Sequence, residues 1–170
     1  EPHDVLFQMM QYSDIIFGDQ NEWEVASGVP HIPFEALDAD YEIDKEAYLE
    51  YFRKMHQLFP KCKKMLMAVR NQIASSHHTL SGLLYDAVED QLYTTRIYDI
   101  EPIVDPMGVG DAFIAAYIHA HQKWGDKNQY CLEFSLSASA IKNTVPGDQN
   151  LVTEEEIINN MTSSGGRIQR

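Results

Sequence analysis

The sequence predicts an α/β fold, and three stretches carry that prediction. Ile15-Ile16-Phe17 is a short apolar run followed by a turn at Gly18-Asp19-Gln20 and a helix that opens at Asn21. Met65-Leu66-Met67-Ala68-Val69 is a second run, of the kind buried on both faces of a parallel sheet. Ile103-Val104 reads as the end of a further strand. A glycine-rich turn follows it, and then Phe113 to His121, free of Gly and Pro and rich in Ala, which reads as a helix. Strand, tight turn and helix start therefore occur twice, and in an open α/β sheet that junction is where ligands bind.

Taken in order, Val5-Leu6-Phe7 and Met9-Met10 predict a short amphipathic helix ended by Ser13-Asp14. The helix opened by Asn21-Glu22-Trp23-Glu24 stops near Gly28. Val29 to Tyr41, with Pro30 and Pro33, is irregular. Asp44 to Phe59 is a strong helix: Ala47, Tyr48, Tyr51, Phe52, Met55 and Leu58 recur on one face, acids come early, and Pro60 stops it. Gln72 to Ser76 reads as an exposed loop. Thr79 to Tyr85 and Gln91 to Thr95 read as strands joined by a polar link of hairpin size, Asp86 to Asp90. Trp124-Gly125-Asp126 ends the helix of the glycine-rich turn. Asn128 to Lys142 is the next helix, apolar at Tyr130-Cys131, Phe134, Ala138 and Ile141, with small residues that permit a close approach. Asn143 to Asp148 is a turn, Thr153 caps a last short helix, and Met161 to Arg170 reads as a loose end.

Composition narrows the function classes. The 170 residues are 44% hydrophobic and 23% charged, enough for one domain with a core. The formal net charge of -13 argues against nucleic acid or an anionic membrane as partner, since both need basic surface. Cys62 and Cys131 stand alone and far apart, which suits reduced thiols in a cytoplasmic protein. No apolar run approaches the roughly 20 residues that span a bilayer. The opening Glu1-Pro2-His3-Asp4 does not read as a signal peptide and leads straight into a helix, as if more chain preceded it.

The chemistry concentrates in Asp105-Pro106-Met107-Gly108-Val109-Gly110-Asp111. The first amides of a helix lack partners inside it, and the helix dipole adds positive potential there. Glycines let the backbone approach an anion closely. The amides of Gly108, Val109, Gly110 and Asp111 thus form a candidate phosphate cradle. An aspartate beside a phosphate suits a general base that takes a proton from an attacking hydroxyl. The same pattern also fits a tight turn with Asp111 as helix cap. Asn21 and Glu24 repeat the ambiguity: an amide and a carboxylate suit a water-rich Mg²⁺ shell, and a capping Asn with early acids suits a plain helix start. His77-His78 hints at a metal, but adjacent residues on an extended chain face opposite ways.

The Gly-rich stretch resembles the second signature of the ribokinase-like (PfkB) carbohydrate kinases, D-T-x-G-A-G-D-x-F. Pro106 stands where Thr or Arg is commoner, and Val109 where Ala or Gly is usual. Asn21-x-x-Glu24 is similar to that family's N-x-x-E. Arg70 with Ser75-Ser76-His77 and the Pro146-Gly147-Asp148 turn resemble its 2-dehydro-3-deoxygluconate kinase branch. The likeness runs from about Tyr12 to Glu156 and implies the C-terminal portion of a three-layer α/β/α sandwich. Residues 1–160 would be the nucleotide-binding and catalytic part, and 161–170 a flexible tail. It implies Asp111 as base, Gly108, Val109 and Gly110 as anion hole, and Arg70 and Asn143 at the nucleotide. The helix Asn128 to Lys142 would border the adenine, Asp148 would face the acceptor, and Asn21 and Glu24 would hold Mg²⁺ through water. ATP and Mg²⁺ are the implied cofactors, and many members add a monovalent cation near the motif. The expected reaction is phosphorylation of a small sugar acid, 2-dehydro-3-deoxygluconate before fructose or ribose; a nucleotide-binding protein without turnover is the alternative. Family chains are about twice this length, so the N-terminal half is an expected partner and the chain alone is expected to be inactive. The residues leave the oligomeric state open, a homo-oligomer included.

Overall fold

The computed structural model describes residues 2–34, 36, 38–163 and 167–168. Its helices are α1 (Pro2–Met10), α2 (Gln20–Ser27), α3 (Lys45–Leu58), α4 (Val109–Trp124), α5 (Asn128–Lys142) and α6 (Glu154–Thr162). Its strands are β1 (Ile15–Gly18), β2 (Lys64–Ala74), β3 (His77–Asp86), β4 (Gln91–Thr94), β5 (Tyr98–Ile100) and β6 (Arg167–Ile168). They form a mixed sheet in the order β1-β2-β3-β5-β6, with β4 also on β3. β1 runs parallel to β2, with Ile15 opposite Lys64 and Gly18 opposite Met67. β3 and β5 are antiparallel, with His78 opposite Ile100. The predicted α/β class is the one observed.

Three expectations are corrected. Of Gln72 to Ser76, only Ser75-Ser76 is a turn: β2 continues to Ala74 and β3 begins at His77. Polar residues hid the alternation: Val69 and Asn71 are buried while Arg70, Gln72 and Ala74 are exposed. Buried Asn71 is satisfied by the Asp38 carbonyl at 3.0 Å and Thr79 Oγ1 at 3.2 Å. Ile103-Val104 is not a strand end, since β5 finishes at Ile100. Those amides bond instead to the Ser76 and Asn143 carbonyls, each at 2.8 Å. In the stretch 161–170, Met161 and Thr162 finish α6, Ser163 caps it, and Arg167–Ile168 pair with β5; 164–166 and 169–170 lie outside the described residues.

The chain divides into two compact units. The first comprises Glu1–Phe34, Glu42–Met67 and Leu83–Tyr93. Its core is aromatic: Phe52 stacks on Tyr85 at 5.7 Å and meets Trp23 edge-on at 5.7 Å. Asp44 caps α3 by accepting from Ala47 N at 3.0 Å, and Tyr48, Tyr51, Phe52 and Met55 point inward as their spacing predicts. Arg53 grips Asp90 through two bonds. Arg53 first and the Tyr85 hydroxyl second draw the Asp90 carboxyl down to about 2.

The second unit comprises Glu35–Tyr41, Ala68–Gly82 and Thr94–Arg170. α5 is its centre and is buried almost throughout. Its serines suit that setting because each finds an acceptor: Ser135 the Cys131 carbonyl, Ser137 the Ile157 carbonyl, Ser139 the Val109 carbonyl. Thr153 and Glu156 form a reciprocal capping box at the start of α6. No helix among the described residues is long and apolar enough to cross a membrane, and both cysteines are free and buried.

Phe52 has no exposed surface, whereas Val88 is 79% exposed. Phe52→Ala is expected to cost about 3–5 kcal/mol, and Val88→Ala to stay within about 0.5 kcal/mol. Urea unfolding of both variants checks the contrast.

Candidate active site

The glycine-rich turn is shaped by one close approach. Gly108 precedes α4 with a left-handed backbone, φ 74°. A Cβ added there would lie 2.1 Å from the Asp148 carbonyl oxygen, so sterics as well as φ demand glycine. Asp105 fastens the two turns: its Oδ1 accepts from Met107 N at 3.0 Å and its Oδ2 from Gly147 N at 2.9 Å. Those two amides, and the Lys142 charge after them, hold the Asp105 carboxyl below its usual range. Ser139 Oγ donates to the Val109 carbonyl at 3.0 Å and fixes the first residue of α4.

The first bond of the helix runs from Ala112 N to the Gly108 carbonyl at 2.9 Å. The amides of Gly108, Val109, Gly110 and Asp111 have no acceptor among the described residues. Asp111 is the third helical residue and exposed. No side chain caps α4, so capping by Asp111 is ruled out as its explanation. A Cβ at Gly110 would meet nothing within 4 Å. Packing does not require that glycine.

The other predicted residues divide. Asp148 is exposed, with its carbonyl against Gly108, so the Pro146-Gly147-Asp148 turn borders the cradle. Asn143 is 2% exposed and its side-chain nitrogen donates to the Ser139 carbonyl at 3.0 Å. Its carbonyl accepts from Val104 N and Asp105 N. These bonds give Asn143 a scaffolding role at the end of α5. Arg70 is exposed on β2, with His78 near enough to feel its charge. His78 is buried without a bond to either ring nitrogen, while His77 pairs with Asp99 at 2.5 Å. A groove of about 270 Å³ adjoins the cradle, lined by Ala112, Ala116, His119, Phe134, Ala138 and Asn150. It begins one residue beyond Asp111, with Phe134 and Ala138 of α5 in its wall.

Asn21 and Glu24 lie in the first unit, one turn apart on α2 and so on one face. The cap of α2 is Asp19, which forms a capping box with Glu22, so Asn21 is not the cap. Glu24 bonds to the side chain and amide of His31, and the side-chain bond chiefly lowers its carboxyl below the usual range. An ionised carboxylate and an exposed amide oxygen fit a magnesium ion that keeps most of its water. A monovalent cation beside the motif fits less well. There the Asp105 and Val145 carbonyls already receive the Lys142 ammonium.

Asp105, Ser139 and Lys142 are the site residues that sequence reasoning passed over. Asp105 headed the quoted motif without a role, and Lys142 looked like an ordinary basic residue at a helix end.

No protein-family model matches the sequence, and neither does any curated protein sequence. Solved structures do match. The 2-dehydro-3-deoxygluconokinase of Thermotoga maritima superposes with a TM-score of 0.80 at 26% identity, over 95% of this chain and 45% of its own. A PfkB family carbohydrate kinase from Listeria grayi gives 0.76 at 24% identity, over 95% and 45%. Arabidopsis thaliana ribokinase, solved with ribose and ATP, gives 0.67 at 21% identity, over 93% and 44%. The fold is ribokinase-like. The chain is similar in fold to these carbohydrate kinases over nearly its whole length, and it spans about 45% of the length of the first of these structures.

Gly108→Ala is expected to lose about 1–2 kcal/mol from the left-handed backbone alone, with the clash in addition. Gly110→Ala is expected to leave stability unchanged or raise it by up to about 1 kcal/mol. Thermal unfolding of the pair tests this. Asp105 contributes stability that is present above the ordinary carboxylate value of about 3.9 and lost as pH falls through its lowered folded value. The stability gap between wild type and Asp105→Asn should therefore narrow below about pH 4, as read by urea midpoints across pH.

Proposed function

We propose that this chain supplies the nucleotide side and the catalytic base of a sugar kinase. The observation that carries the reading is the set of unpartnered amides from Gly108 to Asp111, with the exposed Asp111 carboxylate among them. In this reading Gly108, Val109 and Gly110 hold the charge that develops on the γ-phosphoryl group of ATP. Asp111 takes the proton of the acceptor hydroxyl, Arg70 pairs with a nucleotide phosphate, and the groove beside α5 takes the adenine. Asp148 faces the acceptor from the neighbouring turn. Asn21 and Glu24 would hold Mg²⁺ through its water shell, and the ion would supply neutralisation of phosphate charge.

The acceptor is a small sugar acid, with 2-dehydro-3-deoxygluconate phosphorylated at its 6-hydroxyl as the first choice. Support comes from the Arg70 to His77 and Pro146 to Asp148 stretches and from the similarity to the Thermotoga enzyme. The remaining half of such a kinase is the natural partner. An apolar groove of about 570 Å³ in the first unit, lined by Leu6, Met10, Ile16, Phe17, Trp23 and Val25, offers it a surface. Val25 and Leu6 there are 63% and 44% exposed. The chain alone then binds nucleotide but transfers phosphate poorly, because acceptor binding and exclusion of water fall largely to the other half.

Within a complete kinase domain, Asp111→Asn is expected to keep nucleotide affinity and to lose about 10²–10⁴ of the transfer rate. An unchanged rate removes Asp111 from its role. Gly110→Ala should weaken ADP binding to this chain while leaving its melting temperature intact; equal ADP affinity by calorimetry would show that no phosphate sits in that space. An acceptor panel decides the sugar, and preference for ribose or fructose overturns the sugar-acid assignment.

A further inference from the structure

Lys142 is the last residue of α5 and has no exposed surface. An ammonium withdrawn from water needs acceptors around it. Nζ donates to the Val145 carbonyl at 3.0 Å and to the Asp105 carbonyl at 3.4 Å. Both carbonyls belong to the backbone that frames the cradle. Asp105 leads into Met107-Gly108, and Val145 leads into the Pro146-Gly147-Asp148 turn, whose carbonyl packs on Gly108. The Asp105 carboxylate ties the same two turns through Met107 N and Gly147 N. One anion and one cation thus clamp the same pair of turns, the carboxylate by their amides and the ammonium by carbonyls.

We propose that Lys142 is a built-in cation for the phosphate cradle, a positioning residue that fixes the two turns through the Asp105 and Val145 carbonyls. Its purpose rests on the kinase reading, while its geometry rests on the bonds just described. An alkali ion seeking these carbonyls would meet a like charge already bound to them. The cradle is then in working shape without potassium, and Lys142 touches neither phosphate nor acceptor.

The test compares thermal unfolding and ADP affinity of this chain in potassium chloride and in choline chloride of equal ionic strength. Wild type is expected to give the same melting temperature and the same ADP affinity in both. Lys142→Ala leaves the two carbonyls facing the space the ammonium filled. In choline it should melt lower and bind ADP about tenfold more weakly. Both losses should recover in part in potassium or methylammonium chloride, since choline is too large to enter. Lys142→Met fills that space without charge and should show the same losses with no recovery in any salt. A wild type stabilised by potassium over choline overturns the inference. So does a Lys142→Ala chain that does not recover, or a Lys142→Met chain that melts and binds ADP as wild type does. If wild type binds no ADP at all, the kinase reading fails, and the melting temperatures alone decide the role of Lys142.

Discussion

The contact between the Gly108 backbone and the Asp148 carbonyl constrains everything at the start of α4. With no side chain in between, two turns distant in sequence share one surface. Asp105 draws them together through Met107 and Gly147, and Ser139 holds Val109 from beneath. The result is a rigid frame around amides that face outward unused. Rigidity matters because a cradle that had to form around its anion would spend binding free energy on ordering itself.

Placing a carboxylate at that mouth looks unfavourable, and the magnitudes show why it is tolerated. Two unit charges 4 Å apart repel by about 1 kcal/mol in water. Each hydrogen bond from an amide to a charged group contributes about 1.5–3 kcal/mol. Several such bonds together exceed the repulsion from one exposed carboxylate, so the proposed phosphate site tolerates Asp111 beside it. The Asp111 side chain stays exposed to solvent. Both features belong to the first turn of one helix, which places them side by side without any tertiary adjustment.

The fold class and the centre of the site were legible because they depend on local rules. Apolar runs, glycine punctuation and the spacing on α3 act over a few residues, and Asp44, Gly108 and Thr153 stand at the helix starts their residue types imply. What escaped depends on distant partners. Asn71 looks like a loop residue until the Asp38 carbonyl and Thr79 are brought to it, and only then do Val69 and Asn71 read as one face of a strand. Ile103 and Val104 have strand composition, yet their amides meet Ser76 and Asn143 instead of a ladder. Asn143 carries the composition of a ligand contact and spends its side chain on Ser139. Lys142 ends α5 as any basic residue would, and nothing in its neighbours along the chain announces the carbonyls folded around it. The similarity to the Thermotoga kinase covers nearly all of this chain at 26% identity. That level suffices for the architecture and leaves the acceptor to experiment.

The linker between β5 and α4 is anchored at two places that differ in kind. Ile103 N is tied to the Ser76 carbonyl at the tip of the β2–β3 hairpin, and Val104 N to the Asn143 carbonyl at the end of a buried helix. The second anchor is deep and immobile, whereas the first sits on a surface tip beside exposed Ser75. The two anchors lie on consecutive residues, one peptide unit apart. The segment between the hairpin tip and the glycines is thus pinned at Asn143 before it reaches the cradle.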